Sequence, residues 1–435
     1  MKLTEDQIFA LAPDEASKKA GRDLATPAKW VSKGINQQAL WGECQGSGSK
    51  PYQTQVDLSS IAFKCSCPSR KFPCKHGLGL LLLHARQPGI FTASASPAWV
   101  SDWISKRSEK EEKKVEKAEK PVDENAQAKR QQAREQKVAT GIKELLVWIK
   151  DIVRNGILTV PEKGATYWEN MSRRMVDSQA SGLSAMVKNL GATNFWKEGW
   201  QSDFMDRLIS LYLVAEGYQN IEKLDPVLQE DIRSAVGFTV SQEELKLNEG
   251  VQDSWLVLGK DVREEGPLTI EQNWLYGTKA NRFALILQFY ARGQFPQLAL
   301  TPGIVLNAEL VYFASVLPYR AIVKNQPATV TPNWTDLCTS TGWEQIAADE
   351  AGSNSRLPFR SEMPAILGGA RLVNYQKQWW LQDQSGYLCK LEADAKQIWK
   401  LLAISGGEAL TMALIGKEST YKPIGLWHQN TYTTI

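Results

Sequence analysis

The spacing of hydrophobic residues changes along the chain, and the first hundred residues contain both strand-like and helix-like stretches. Residues 61–65 predict a short strand, and the leucine-rich residues 77–86 predict a helix. A second helix is predicted where Ser96 and Pro97 provide a favourable N-cap and first position. The apolar residues on one face of that helix are Trp99, Val100, Trp103 and Ile104. We expect this helix to dock on the elements before it.

Residues 105–140 have no hydrophobic periodicity. They are mostly Lys, Glu, Gln, Ala and Arg, and Pro121 would break any helix that formed through them. Mixed charges at helical spacing are typical of a solvated helix or a flexible tether. We interpret this segment as a charged linker.

Helical spacing returns between residues 141 and 250. Its first apolar face is formed by Ile142, Leu145, Leu146, Ile149, Ile152 and Val153. Further faces follow around residues 171–190 and 204–215. Several amphipathic helices in succession predict a helical bundle.

Beyond residue 251 the period shortens to that of strands. The predicted strands are residues 255–258, 283–290, 309–313, 411–416 and 421–427. Residues 379–389 predict a hairpin with its turn at 383–386, and residues 398–402 predict a helix. Because Pro423 cannot donate a backbone hydrogen bond, we expect its strand at a sheet edge. The region should form a barrel or a sandwich.

These patterns predict an α+β multidomain protein. It combines an N-terminal unit of strands and flanking helices, a charged linker, a central helical bundle and a β-rich C-terminal domain. The predicted boundaries are 1–104, 105–140, 141–250 and 251–435.

Composition adds little to this division. The 435 residues are 43% hydrophobic and 23% charged, which is ordinary for a globular protein. Residues 1–6 lack the basic and apolar segments of a signal peptide. Nowhere does an apolar run reach the length of a membrane span. We therefore expect a cytoplasmic protein without a membrane partner.

The strongest chemical signal is a cluster of cysteines and one histidine in residues 65–76. Cys65, Cys67, Cys74 and His76 supply three thiolates and an imidazole, a complete tetrahedral ligand set for zinc. Since a strand places residues i and i+2 on one side, Cys65 and Cys67 should face the same way. All four positions are filled by protein, which indicates one structural Zn²⁺ rather than a catalytic one.

Disulfides are the alternative interpretation of these cysteines. A reducing compartment disfavours them, and clustered thiols there favour metal. Cys44 could approach the metal from the preceding strand, although a fifth ligand is not needed.

The ligand pattern and its surroundings resemble the SWIM zinc finger. The resemblance covers roughly residues 35–90. Residues 39–48 resemble its opening strand and glycine turn, residues 51–58 its second strand, and the four ligands its metal core.

The resemblance implies a zinc-held ββα unit that contacts DNA or another protein. Some bacterial proteins with this finger occur beside MoxR-type AAA ATPases and von Willebrand A-domain proteins. It therefore suggests such proteins as partners.

Positive charge surrounds the predicted metal site. Residues 61–90 contain five basic residues and no acidic one, and the basic ones are Lys64, Arg70, Lys71, Lys75 and Arg86. Such residues can bind phosphates, and Phe72 among them could stack on a base or on a partner's side chain. Equally, the charges could solvate a loop while Phe72 packs within its own domain. Both interpretations stay open.

The sequence contains none of the short catalytic motifs considered below. Residues 416–419 lack the upstream glycine and the adjacent hydroxyl of a phosphate-binding loop, and no H-E-x-x-H or G-x-S-x-G occurs. Apart from His76, the histidines are His84, which we expect to be structural, and His428, which has no nucleophile at a telling spacing.

Two hypotheses follow. In the first, the protein is a non-catalytic adaptor or scaffold whose finger contacts nucleic acid or a protein. In the second, it is an enzyme with an active site in the β-rich C-terminal domain that no short motif marks. The acid-free finger and the missing catalytic motifs favour the first.

Overall fold

A computed structural model shows how these segments fold. It describes residues 3, 5–46, 50–58, 61–69, 71–107, 124–266, 268–291, 296, 298–325, 327–330, 337, 339–360, 362–417, 420–429 and 431–435. The predicted α+β architecture is confirmed, with a finger, a helical bundle and two β-rich units. None of the described helices combines the length and apolar character needed to cross a membrane.

The N-terminal unit is a five-stranded sheet with helices packed on it. Its strands follow the order β4-β3-β2-β1-β5, in which only β5 is parallel to its neighbour. They are β1 Trp30–Ile35, β2 Ala39–Cys44, β3 Tyr52–Asp57, β4 Ala62–Cys65 and β5 Thr92–Ala93. The helices are α1 Glu5–Ala10, α2 Glu15–Leu24 and α3 Lys75–Arg86, with single 3₁₀ turns at Pro27–Lys29 and Pro88–Ile90. The predicted ββα finger corresponds to β3, β4 and α3.

Burial rather than propensity stabilises α3. The helix contains two glycines in its first half, which disfavour helix formation. Its five leucines, Leu78 and Leu80 to Leu83, are all buried between the sheet and the first two helices. Since each buried leucine contributes about 2 kcal/mol, their packing outweighs the cost of the glycines.

A further helix over residues 98–107 covers the other part of the sheet. Its Val100 is fully buried against Ala39 and Trp41 of β2, with Trp99 and Ile104 beside them. The prediction that this helix docks on the finger unit is therefore confirmed; we label it α4.

The helical bundle begins earlier than its predicted start at residue 141. A helix, α5, runs over Glu124–Arg154, and Val138 on it is fully buried in the bundle core. The predicted linker 105–140 is thus too long at its C-terminal end, because the charged residues of 129–140 solvate one helical face while Val138 packs on the other. Pro121 lies outside the described residues.

Four more helices complete the bundle around one aromatic-rich core. They are α6 Ala165–Asp177, α7 Ser181–Gly191, α8 Trp200–Gln219 and α9 Pro226–Val236, followed by the short α10 Gln242–Leu245. Single 3₁₀ segments lie at Ile157–Glu162 and Ile221–Lys223.

The first β-rich unit is a closed barrel. Its strands are β6 Val251–Glu265, β7 Leu268–Gly277, β8 Arg282–Ala291, β9 Val305–Tyr312 and β10 Ala321–Val323, and β11 Ala328–Val330 also pairs with β9. The order is β10-β9-β6-β7-β8. A parallel bridge closes the ring, with the Leu285 amide donating to Tyr319 O at 2.7 Å just before β10.

The second β-rich unit closes in the same way. Its strands are β12 Met363–Tyr375, β13 Gln378–Gln382, β14 Leu388–Leu391, β15 Leu410–Lys417, β16 Thr420–His428 and β17 Thr431–Thr434. Helix α11 Trp343–Arg356 precedes them, and α12 Ala395–Ser405 connects β14 to β15. The order is β14-β13-β12-β15-β16-β17, and parallel pairing of β14 with β16 closes the barrel.

The two barrels share one connectivity. In each, the first strand pairs with the second and fourth, the fourth pairs with the fifth, and the third meets the fifth in parallel. Each first strand also carries a bulge, between Val257 and Gly259 and between Leu367 and Ala370. The helix between the third and fourth strands of the second barrel completes the arrangement of the OB-fold.

The prediction for Pro423 is wrong. The proline lies in β16, which is an inner strand between β15 and β17. The strand tolerates it for two reasons. The register with β15 shifts beside it, between Ala413 and Leu414, and β17 pairs only with residues 425–428.

The finger and the two barrels pack on one another through shared hydrophobic clusters. Finger residues such as Ile8 and Ile61 belong to the same cluster as Leu300 and Ile304 of the first barrel. A second cluster joins the outer faces of the two barrels, and there Tyr432 donates to Leu258 O at 2.7 Å. The finger and barrels therefore form one continuous body.

Candidate metal centre

The four predicted zinc ligands come from the end of a strand and the start of a helix. Cys65 is the last residue of β4, and Cys67 follows two positions later. Cys74 is the N-cap of α3, and His76 lies in its first turn. The loop between β4 and α3 thus returns the chain so that all four side chains meet at one point.

The distances fit a single tetrahedral ion. The four ligand atoms all lie within 4.8 Å of one another. His76 Nδ1 is 3.7 Å from Cys65 Sγ and 4.0 Å from Cys74 Sγ. With Zn–S and Zn–N bonds of about 2.3 and 2.0 Å, the edges of a zinc tetrahedron measure about 3.5–3.8 Å. The site is therefore arranged for one structural Zn²⁺, with Nδ1 as the imidazole donor.

Neighbouring groups on β3 hold the ligands in place. Thr54 Oγ1 lies 3.2 Å from Cys65 Sγ, within hydrogen-bond distance. The Tyr52 ring lies 5.0 Å from the His76 ring, measured between centroids. The Gln53 amide donates to Ser66 Oγ at 3.0 Å, which fixes the chain between the two first cysteines. Such contacts orient metal ligands before the ion binds.

Without metal the pKa values of the three thiols are shifted in different directions. The pKa of Cys65 is raised to about 12, because its thiol donates to Cys74 and because it is buried. The pKa of Cys74 is lowered, because it accepts that hydrogen bond and another from the Gly77 amide. Burial raises the pKa of Cys67. A bound zinc ion would supply the positive charge that stabilises all three sulfurs as thiolates.

Cys44 does not join the ligand group. Its side chain is fully buried, and burial raises the pKa of its thiol to about 11. The described ligand atoms that cluster belong to Cys65, Cys67, Cys74 and His76 alone. Cys44 is therefore a core residue beside the site.

An aromatic pair closes one side of the site. The Phe72 ring meets the Phe63 ring edge to face, with centroids 5.6 Å apart. Phe63 also leaves no room at Gly77, where a Cβ would lie 2.8 Å from its ring. Phe72 thus packs within its own domain, and only part of its ring faces solvent.

Two of the predicted partner-binding cations form ion pairs with the first two helices. Lys71 Nζ lies 2.8 Å from the Asp14 carboxylate. Arg86 binds Glu5 through two hydrogen bonds of 2.8 and 2.7 Å. Residues 61–90 contain no acidic residue, but the folded chain brings Asp14 and Glu5 next to their basic side chains. No signal within residues 61–90 could have shown this, because both carboxylates lie more than fifty residues away in the chain.

The remaining predicted positions differ in their surroundings. Lys64 and Lys75 are exposed, and neither forms an ion pair with another residue that the structure describes. Arg70 lies outside the described residues.

The other histidines lie apart from the metal centre. The His84 ring packs edge to face on Phe91, with centroids 5.1 Å apart, and burial lowers its pKa. This contact agrees with a structural role. His428 ends the strand β16.

The barrel units contain buried carboxylates, and two of them, Glu271 and Glu350, were not singled out from the sequence. Glu271 accepts hydrogen bonds from Asn273, Gln288 and Tyr290 and pairs with Lys260 at 3.2 Å. Glu350 also has several partners. Among them are Arg360 and Tyr421, each 3.1 Å from its carboxylate.

The geometry defines a small protein module built around a structural zinc site. Two family models match the chain: the SWIM zinc finger over residues 52–85 and the SWIM-associated four-helix bundle domain over residues 133–236. The chain thus contains a SWIM zinc finger and the helical domain associated with it, each matched over part of its length. Nothing among curated proteins or solved structures matches it.

Proposed function

We propose that this protein is a non-catalytic adaptor whose zinc-held finger contacts a protein partner. The observation that carries this proposal is the burial of the finger's helix. From His76 to Leu83 every residue of α3 is buried by the sheet and the first two helices. A helix that reads DNA must present one face to a groove, and α3 has no such face over these residues.

The charges around the finger support the same choice. Lys71 and Arg86 are already paired with Asp14 and Glu5, so their charge is partly neutralised before any phosphate arrives. Phe72 is engaged with Phe63. These contacts reduce what the finger can offer to a nucleic acid and leave a mixed, polar surface of the kind that protein partners use.

Nucleic-acid contact by the finger is a second candidate, favoured by Lys64 and Lys75. Both are exposed, and both flank the metal ligands in the chain. Contacts to phosphate through these residues would be lost steeply as salt rises.

The environments of two buried glutamates support a non-catalytic role. Glu271 and Glu350 are 2% and 6% exposed, and each is held by several partners. A buried, fully engaged carboxylate is typical of a structural network and cannot reach a substrate without rearrangement. This weighs against the alternative of an enzyme active site at either place.

The resemblance to SWIM proteins makes an AAA ATPase or a von Willebrand A-domain protein our proposed class of partner. We also propose a cytoplasmic location, where thiols remain reduced and available to zinc.

Affinity purification of the intact chain and of a Cys67→Ser/Cys74→Ser variant tests the proposal. Zinc is quantified in each, and bound proteins and nucleic acid are identified with and without nuclease. We expect one zinc per intact chain and a protein partner that only the intact chain retains after nuclease treatment. Purified ATPase or A-domain partner should then bind the intact chain directly.

A Lys64→Glu/Lys75→Glu variant serves to separate the two candidates, because it changes charge and keeps the ligands. Two results together would favour nucleic-acid contact by the finger over protein contact. They are loss of nucleic acid from this variant and the absence of a protein partner on the intact chain. Turnover by the intact chain that depends on Glu271 or Glu350 would exclude the non-catalytic role.

A further inference from the structure

The second barrel has the architecture of proteins that bind oligonucleotides on one face. In the OB-fold, the outer face of the second and third strands and the loops beside them form the usual binding surface. In this barrel those strands are β13 and β14, next to the second half of β12. Because a fold alone does not assign a function, the side chains on that face decide the matter.

Strand alternation shows which side chains point outward. Leu372, Leu381 and Cys389 form one cross-strand row and belong to the barrel core. The neighbouring row, Val373, Trp380 and Lys390, therefore points away from the core. The next outward rows lie two positions away along the strands, one in each direction. They contain Arg371, Gln382 and Leu388 on one side and Tyr375 and Gln378 on the other.

The aromatic residues of this face are placed for stacking. Trp380 lies at its centre, half-buried, and its indole N–H donates to Tyr375 O at 3.3 Å, which fixes the ring. Tyr375 is 54% exposed, and Tyr387 at the adjoining turn is 59% exposed. A half-buried tryptophan with two exposed tyrosines near it offers aromatic faces, and every nucleobase has a face that can stack on them.

Cations accompany the aromatic residues. Arg371 and Lys390 lie on the face, and Lys377 lies in the tight turn between β12 and β13; all three are exposed. Of the acids nearby, Glu408 meets Arg371 only at 3.7 Å, with both side chains largely in solvent, so water weakens the pair. Glu392 pairs with Lys422 at 3.8 Å at the end of β14. The balance at the centre of the face is positive.

The first barrel presents a different surface. Trp274 and Tyr276 on its second strand are buried against the second barrel together with Trp427 and Tyr432, and Phe289 on its third strand is 55% exposed. The second barrel's own face is turned away from this contact, since Tyr375 and Trp380 lie outside the cluster and Arg371, Tyr375 and Lys390 are exposed.

We propose that this face, which we call the Trp380 face (Arg371, Tyr375, Lys377, Trp380 and Lys390), binds single-stranded nucleic acid. Bases stack on Trp380 and Tyr375, and the cations contact phosphates. The finger plays no part in this site. Nucleic-acid binding by the Trp380 face can therefore be tested independently of the partner bound by the finger.

Fluorescence anisotropy with labelled oligothymidine and oligouridine of about 20 nucleotides tests the proposal on the zinc-loaded full chain. We expect binding that weakens with salt. Trp380→Ala should lower affinity about ten- to a hundredfold. Arg371→Ala should make the slope of log K against log salt shallower by about 0.7. The two oligonucleotides distinguish DNA from RNA as the bound strand.

Trp399→Ala is the matched control, because Trp399 is 71% exposed on α12 and lies off the face. It should bind as the unmodified chain does. If Trp380→Ala fails to fold, Lys390→Glu, which changes an exposed side chain, takes its place and should weaken binding at least fivefold.

Three results would overturn the proposal. One is no binding of either oligonucleotide by the intact chain at low salt. Another is equal affinity of the intact chain and the variants of the Trp380 face. The third is loss of binding in Lys64→Glu/Lys75→Glu alone, which would assign the nucleic acid to the finger.

Discussion

At the scale of single residues, the zinc centre depends on four ligands that the chain keeps within twelve positions. Cys65 and Cys67 lie at the end of β4, and Cys74 and His76 lie at the start of α3. The ion therefore cross-links a strand to a helix whose first turn contains its own ligand. Apart from the loop between them, β4 and α3 are not covalently linked.

Replacement of Cys67 by serine should abolish zinc binding. The hydroxyl does not ionise at neutral pH, so one of the three thiolates is lost, and a structural zinc contributes on the order of 10 kcal/mol to the folding of such modules. We expect less than a tenth of one zinc per chain by elemental analysis, and rapid proteolysis within residues 61–76.

Cys44→Ser provides the comparison for that experiment. Cys44 is fully buried, more than Cys65 and Cys67, and lies outside the ligand group. It should retain one zinc per chain. Loss of zinc from this variant would show that Cys44 is a ligand after all.

Zinc affinity should rise with pH. The pKa of the Cys65 thiol is about 12 without metal, so at neutral pH it carries a proton that zinc must displace. Each displaced proton makes the apparent affinity fall about tenfold for every unit by which the pH drops. Competition with a chelating dye between pH 6.5 and 8.5 measures this slope, and an affinity independent of pH would contradict it.

The residues of the metal centre could be predicted because they are close together in the chain, whereas their electrostatic surroundings could not. The spacing of Cys65, Cys67, Cys74 and His76 is a local property. The ion pairs of Lys71 and Arg86 depend instead on where α1 and α2 pack. A window of thirty residues contains no information on that packing.

At the scale of helices and strands, the contact of α2 with α3 depends on the absence of side chains. A Cβ on Gly79 would lie 2.7 Å from Leu24 Cβ, and one on Gly21 would lie 2.8 Å from Leu78 Cβ. The two glycines face each other's helices and allow a close backbone approach. This explains why α3 retains glycines that weaken it as an isolated helix.

Gly79→Ala should therefore destabilise the finger unit by about 1–3 kcal/mol, although alanine favours helices. Gly89→Ala is the matched control, because nothing lies within 4 Å of its Cβ position. Thermal unfolding of the zinc-loaded chains measures both. An unchanged or raised transition for Gly79→Ala would show that the helices can separate at little cost.

Element types were easier to predict than their partners. The hairpin at 379–389 is confirmed, since its turn forms where Asp383 accepts from the Ser385 and Tyr387 amides and Gly386 takes a φ of +89°. These interactions are local. The closure of the barrel by β14 and β16 joins residues about thirty positions apart, and the hydrophobic period of a strand does not specify which neighbour it pairs with.

At the scale of the whole molecule, the finger and the first barrel share one hydrophobic cluster. Gln7 also donates to Gly303 O at 3.3 Å across this contact. The helical bundle has a separate core, built from α5 to α9. Stability should therefore be coupled between the finger and the first barrel and largely separate in the bundle.

Removal of zinc by a chelator should loosen the finger and the facing side of the first barrel together. Hydrogen exchange followed by mass spectrometry should show faster exchange in β3, β4 and α3, and a smaller increase in residues 300–310. Residues 165–236 of the bundle should exchange as before. Faster exchange confined to the finger would show that the shared cluster does not couple the stability of the finger to that of the first barrel.

The shared connectivity of the two barrels also bears on the history of the chain. Two adjacent copies of one strand order, each with a bulged first strand, are what tandem duplication of one barrel would produce. The two copies differ in their surroundings. The first packs on the finger and buries Trp274 and Tyr276 against the second, whereas Tyr375 of the second is exposed. Selection on the second copy should therefore preserve surface aromatic residues that the first has turned into core.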